Sequence, residues 1–182
     1  EAVRTTGREV AVIDKKQPGS SSTAASTSLL LFEIDKPLVV LAKKIGKEKA
    51  ARVWRRSYSA MRNMTEKIKA FALDCDYVER EALLLPGKLL GPSGLRRECE
   101  ARIALGLSSR IAEREELKRE FGIDRPCAIV SGNSAEANPV EMSLAILRKA
   151  ARDGVKVYSP VAAKSIDASE KHVVVKTASG HN

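Results

Sequence analysis

Aromatic residues are scarce in this 182-residue chain: Phe, Tyr and Trp make up 4%, with a single tryptophan. Leu, Ile, Val and Ala must therefore fill the core that a 43% hydrophobic content supports. Histidine is scarcer still. His172 and His181 both lie near the C-terminus, which argues against a zinc centre and against a histidine-based triad; no metal site is expected. Cys75, Cys99 and Cys127 form no CxxC pair, so a disulfide framework gives way to reduced packing thiols, as in a cytoplasmic protein. No apolar run approaches the roughly 18 residues that span a bilayer, and no signal peptide or internal repeat is visible. An initiator methionine is also missing. The opening "EAVRTTG" reads as the last turn of a helix closed by Gly7. The close, "HVVVKTASGHN", reads as a strand running into a turn, and the expectation is a fragment of a longer protein.

What is abundant is positive charge. The net charge is +9 and the pI about 9.6, a balance suited to an anionic partner such as nucleic acid, an acidic surface or a phosphorylated ligand. Much of it lies on "KEKAARVWRRSYSAMRNMTEKIKAFAL", the longest helix candidate. There Trp54, Tyr58, Met61, Met64, Ile68 and Phe71 recur at spacings of three and four. Arg52, Arg55, Arg56, Arg62 and Lys69 fall mostly off that face. Two readings stand: a solvated outer face, or a surface for phosphate backbones. The absence of aromatics among the basic residues disfavours nucleic-acid stacking.

Other elements follow from periodicity and punctuation. "REVAVID" is an apolar run bounded by charge, as a parallel strand buried on both faces reads. "PLVVLAKKIG" is a short helix from Pro37 to Gly46. "DYVEREALLLPG" predicts a strand, "GPSGLRRECEARIALGL" and "AEREELKREFG" two helices, and "RPCAIVS" another strand. That order suits a mixed sheet with helices on one side. In "ANPVEMSLAILRKAARDGVKVYSP", Asn138 is the expected N-cap, Pro139 sits at N1 and Glu141 completes a capping box. Val140, Leu144, Leu147 and Ala151 make its buried stripe, and the strand "VKVYS" follows. "VAAKSIDASEKHVVVKTASG" is a hairpin.

The chemistry centres on residues 10–35, "VAVIDKKQPGSSSTAASTSLLLFEID". A parallel strand ending in Asp14 is one half of a dinucleotide site, where the acid accepts hydrogen bonds from the adenosine ribose hydroxyls. The small residues of the loop at 19–26 allow close backbone approach, and its hydroxyls and N–H groups suit an anion. The apolar run "LLLF" behind them argues against a solvated linker.

"REVAVIDKKQPGSSSTAASTSLLLFEIDKPL" resembles the FAD-dependent oxidoreductases of the D-amino-acid oxidase, glycine oxidase and sarcosine oxidase family. "ANPVEMSLAILRKAARDGVKVYSPVAAKSIDASEKHVVVKTASG" resembles the same family, in the same order. The resemblance implies FAD as cofactor, and an α/β fold: a Rossmann-like FAD-binding domain with an inserted mixed-sheet α+β substrate domain. It places a partial FAD-binding domain with the long helix at 1–76, the insert at 77–134, and a return to the FAD-binding domain at 135–182. It further implies that Asp14 holds the ribose, with Lys15 beside the adenine. Ser22 and Thr23 would contact the pyrophosphate. Ala24, Ala25, Ser26 and Thr27 would line the flavin, and Ala163 would meet the adenine edge through its backbone. The family's GxGxxG turn would precede Glu1, and its substrate-orienting segments would follow Asn182, so no catalytic residue is assigned. The implied activity is oxidation of a carbon–nitrogen bond of an amino acid or secondary amine. The reading of another class is a non-catalytic module that docks nucleic acid or an acidic partner through residues 52–69.

Overall fold

Residues 7–170 and 172–178 are described in the computed structural model, which divides into two compact units. One comprises residues 1–28, 71–76 and 137–182; the other comprises 29–70 and 77–136. The helix end expected ahead of Gly7 lies outside the described residues; Gly7 itself has a φ of 74°.

In the first unit, β1 (Ala11–Ile13) pairs in parallel with β6 (Lys156–Tyr158), Val12 opposite Val157. The sequence predicts burial on both faces. Instead Ala11, Val12 and Ile13 are all exposed, because β6 is the single strand paired with β1 among the described residues. The parallel crossover into β6 runs through α5 (Pro139–Arg152). Asn138 caps this helix as expected, its Oδ1 accepting from the N–H groups of Val140 and Glu141 at 3.2 Å each. The capping box is not closed by Glu141. The Asn138 N–H donates to the Cys75 carbonyl at 2.8 Å, and Glu141 lies 3.9 Å from Arg148. The stripe also differs from expectation: Ala145 is the buried residue, Val140, Leu144 and Leu147 are half-buried, and Ala151 is exposed. β7 (Ala163–Ala168) and β8 (Val173–Thr177) form the expected antiparallel hairpin.

The second unit is built on β5 (Cys127–Glu136), longer than "RPCAIVS" suggests. β3 (Val78–Leu84) runs antiparallel along one edge of β5. The other edge is shared by β4 (Ser109–Glu113), paired with its first half, and β2 (Leu29–Leu30), paired with its end. Parallel and antiparallel pairing therefore both occur in the chain, but every pair in this sheet is antiparallel. Strand β4 takes in Ala112 and Glu113, the first two residues of the helix expected in "AEREELKREFG". Pairing Ile111 with Ile129 and Ala112 with Ala128 overrides helical propensity at the start of that charged run. The rest of that run is helical as expected: α4 (Arg114–Glu116) leads directly into a π-helical turn over Leu117–Phe121.

Alternation along β5 buries both of its faces. Cys127 and Ile129 pack with Leu95 and Cys99 of α3 (Pro92–Ala104). Ala128 and Val130 pack with Ala112 and Leu117. Burial pushes the Cys99 and Cys127 thiols above the usual cysteine range.

α1 (Leu38–Ile45) and α2 (Lys47–Ala70) belong to this unit as well. The long helix is expected with residues 1–76. It packs here because Ala50, Trp54 and Met61 share a core cluster with Phe32, Leu107 and Ala135. Phe32 meets Trp54 and Tyr58 edge-on, at centroid distances of 6.2 and 4.9 Å.

A polar cluster is buried in the same unit. Glu98 and Arg102, one turn apart on α3, are 0% and 1% exposed. The two Glu98 carboxylate oxygens accept from the Leu38 and Val39 N–H groups at 2.8 Å each. Arg102 donates through Nε to Glu98 at 2.8 Å, and through Nη1 to Glu33 at 2.5 Å and to Ser131 Oγ at 3.2 Å. Its guanidinium lies 4.6 Å from the Trp54 ring centre. Arg102→Met leaves the Glu98 charge buried without its partner, an expected loss of about 3–5 kcal/mol in urea unfolding. Adding Glu98→Gln is expected to recover part of that loss; two costs that simply add would contradict the coupling.

At the surface, hydrogen bonds hold three carboxylates below their usual range: Arg114 acting on Asp124 (about 2), Arg96 on Glu113 and Arg80 on Glu136. Each folded-state value lies below the unfolded one, so the stabilisation is present above about pH 4 and lost as pH falls towards about 2. A thermal-melt series is expected to show Tm falling through that window, less steeply in Asp124→Asn.

Candidate functional site

The end of β1 is laced to the segment after β6. The Asp14 N–H donates to the Tyr158 carbonyl at 3.1 Å, and the Asp14 carbonyl accepts from the Val161 N–H at 2.7 Å. The Asp14 carboxylate accepts from the Lys16 N–H at 3.0 Å, which turns the chain sharply out of the strand. Ser159 Oγ then donates to the Lys16 carbonyl at 2.8 Å. Of the expected site residues this corner holds Asp14 and Lys15, both exposed, while Ala163 opens β7 two residues after Val161. Lys16 and Ser159 escape a reading of the sequence, because their parts are played through a backbone carbonyl and a hydroxyl 143 positions apart.

The loop that follows is folded rather than slack. Ser20 doubles a turn on the Gln17 carbonyl, through its N–H at 3.1 Å and its Oγ at 2.6 Å. Gly19 has a φ of +79°, and a Cβ there would lie 2.9 Å from Val140 Cγ1. Val140 is β-branched and stiff, so this glycine lets the loop settle onto the first turn of α5. Ser22–Ala25 form a single 3-10 turn, closed by N–H bonds from Ala24 to Ser21 and from Ser26 to Thr23 at 3.1 and 3.3 Å, and the turn packs against α5. Ser26 Oγ accepts from the Ser28 N–H at 3.3 Å.

Of the expected loop residues, Thr23 is half-buried, whereas Ser22, Ala24, Ala25, Ser26 and Thr27 are exposed. The structure places Ser22–Ala25 against α5, Asp14 and Lys15 in the corner beside β6, and Ala163 at the start of the β7–β8 hairpin. Among the described residues the hydroxyls of Ser22, Thr23 and Thr27 have no hydrogen-bond partner in the protein. An exposed carboxylate at the end of a parallel strand and a turn edged with hydroxyls and N–H groups can hold a diol and an anion. No group of three or more His, Cys, Asp or Glu side chains that could hold a metal ion occurs among the described residues.

The family of FAD dependent oxidoreductases known as DAO matches residues 1–182. The probable oxidoreductase OrdL of Haemophilus influenzae is 23% identical over 178 residues, which cover 94% of this chain and 40% of that protein. Glycine oxidase from Geobacillus kaustophilus superposes with a TM-score of 0.69 at 18% identity, over 94% of this chain and 45% of its own. L-amino acid deaminase from Proteus vulgaris, lacking its specific insertion, gives 0.73 at 16% identity, over 98% and 45%. These structural likenesses establish the fold, and the chain spans less than half the length of each of these proteins.

Gly19 supplies a test of the loop's seating. Gly19→Ala combines an unfavourable φ with the Val140 contact, and is expected to lower unfolding stability by more than about 1 kcal/mol. Adding Val140→Ala is expected to return only the steric share. Equal stability of Gly19→Ala and the parent protein would refute the close seating.

Proposed function

The chain belongs to the DAO family of FAD-dependent oxidoreductases, and we propose that it supplies part of the FAD site of an enzyme oxidising a carbon–nitrogen bond of an amino acid or secondary amine. The observation that carries this reading is the Asp14 corner: a residue at the C-terminal end of a parallel strand whose backbone is held by Tyr158 and Val161 and whose carboxylate accepts from the Lys16 N–H. The donor set suits the cofactor. Asp14 would offer a carboxylate to the ribose hydroxyls, and Lys15 would lie on the adenine side. Ser22 and Thr23 offer hydroxyls to the pyrophosphate. The small side chains of Ala24, Ala25, Ser26 and Thr27 admit a planar ring close to the backbone. Ala163 would meet the adenine edge through its main chain.

When bound, FAD accepts the two electrons and the hydrogen removed from the substrate carbon. The tasks of this chain are to hold the cofactor and to shape the substrate side. In this reading the first unit carries the FAD-facing residues, and residues 77–134 carry substrate-side structure. The amine substrate is supported by the names of the structural relatives, glycine oxidase and L-amino acid deaminase.

Titration of the full-length protein with FAD, followed by flavin fluorescence, is expected to show saturable binding. Asp14→Ala is expected to weaken it at least tenfold while leaving the far-ultraviolet dichroism unchanged. Absence of FAD binding would defeat the cofactor assignment; an unchanged affinity in Asp14→Ala would defeat the role of the corner. Anaerobic bleaching of flavin absorbance by amino acids or secondary amines, and not by 2-hydroxy acids, tests the substrate class.

A further inference from the structure

The second unit carries a concavity lined by none of the residues assigned to FAD. It is a groove of about 1390 Å³ bounded by α1, by α2 from Lys47 to Asn63, by α3 from Arg97 onward and by Leu89 and Leu90 ahead of α3. Its floor is apolar, with Leu38, Ala42, Leu89, Leu90, Ala101 and Leu105, and Leu89 is 62% exposed. Its rim is basic on every side. Lys43 stands on α1, Lys47, Arg52, Arg55 and Arg56 on α2, and Arg97 on α3; Glu48 is the one acidic side chain among the lining residues. Among the described residues none of these six cations pairs with a carboxylate. The remaining basic residues of α2 behave otherwise: Arg62 pairs with Glu66 and Lys69 with Glu79. Unpaired positive charge is thus concentrated where apolar surface is also exposed.

We propose that this groove docks an acidic amphipathic helix of a partner protein, apolar face down and carboxylates against the rim. Charge complementarity selects the sign of the partner. The volume exceeds the roughly 300–1,000 Å³ of small-molecule sites, as a helix-in-groove contact requires. Small side chains at Ala42, Ala51, Ala60 and Ala101 line it, and they let a helix axis approach closely. Nucleic acid is disfavoured because no aromatic side chain lines the groove to stack on a base. A bilayer is disfavoured because the apolar residues line a concavity rather than a projecting face.

The probe is a fluorescein-labelled 18-residue helical peptide with Leu at i, i+3, i+4 and i+7 and Glu elsewhere, read by anisotropy. Its control carries Lys in place of Glu. Binding of the Glu peptide and not of the Lys peptide is expected, weakening steeply with salt. The double substitution Arg52→Glu, Arg55→Glu is expected to reduce affinity at least tenfold, whereas Arg52→Lys, Arg55→Lys retains most of it. Ala101→Trp fills the floor without changing charge and is also expected to cost at least tenfold. Far-ultraviolet dichroism checks that each variant is folded. The proposal is overturned if the Glu peptide fails to bind, or if either Ala101→Trp or the Glu double substitution binds as the parent does. It is equally overturned if phosphatidylglycerol vesicles or a 20-nucleotide single strand bind more tightly at the same residues. Flavin affinity is measured in parallel, because none of these residues belongs to the proposed FAD site, and so the two readings fail separately.

Discussion

One carboxylate holds the second unit together. Pro37 occupies the N-cap of α1, and its ring offers no side-chain acceptor to the exposed ends of the first turn. The N–H groups of Leu38 and Val39 would be buried orphans if Glu98 did not reach across from α3 with both oxygens. An anion at a helix N-terminus is favourable, but a bare carboxylate at 0% exposure is not. Arg102, one turn later on the same helix, resolves that conflict. It also draws in Glu33, Ser131 and the face of Trp54. α1, α2, α3 and β5 are thereby fixed to a single charged knot in which every charge meets an opposite one, while the Trp54 Nε1 beside it is left without a hydrogen-bond partner.

Because that knot lies beneath α1 and α3, it also determines the groove between them. Glu98 and Arg102 face inwards, so the outward face of α3 is left to Arg97, Ala101 and Leu105, which line the groove. The first unit relies on a different device. There the backbone of Asp14 bridges Tyr158 and Val161, and Asn138 caps α5 while its own N–H is taken by Cys75. Both devices join residues far apart in sequence through backbone groups, whereas the loop at 19–26 takes its shape from its own turns and from Gly19 against Val140.

Much of this was legible beforehand. Period and punctuation located α1, α2, α3, α5, β1, β3 and the β7–β8 hairpin, because each carries a cap, a glycine stop or an apolar stripe. Asn138 and Pro139 announced α5 outright. What could not be read was set by partners distant in sequence. β4 is a strand because β5 lies beside it, and the five residues of "SRIAE" carry no strand signature of their own. The closure of the capping box was assigned to Glu141 because the competing acceptor, the Cys75 carbonyl, is invisible to a local motif. The site was legible in part: Asp14 and the small-residue loop have local signatures, whereas the contributions of Lys16, Ser159 and Val161 arise only from the β1–β6 pairing. The buried knot did leave a trace. In "LRRECEAR", Leu95, Glu98, Cys99 and Arg102 share one helical face at spacings of three and four. A charged pair set among apolar neighbours on one face signals a buried pair rather than a solvated one.

The basic residues of α2 show why a solvated face and a recognition face cannot be separated by sequence alone. Arg52, Arg55, Arg62 and Lys69 look equivalent when written in a row. In the folded chain Arg62 and Lys69 have acidic partners supplied by α2 itself and by β3, and such exposed pairs are worth little to stability and leave little net field. Arg52 and Arg55 instead share a concavity with cations from two other helices. Like charges held together in a groove repel one another and keep a potential that an incoming anion relieves. Clustering without compensation, beside apolar surface left uncovered, separates a surface built to meet something from one merely kept in water.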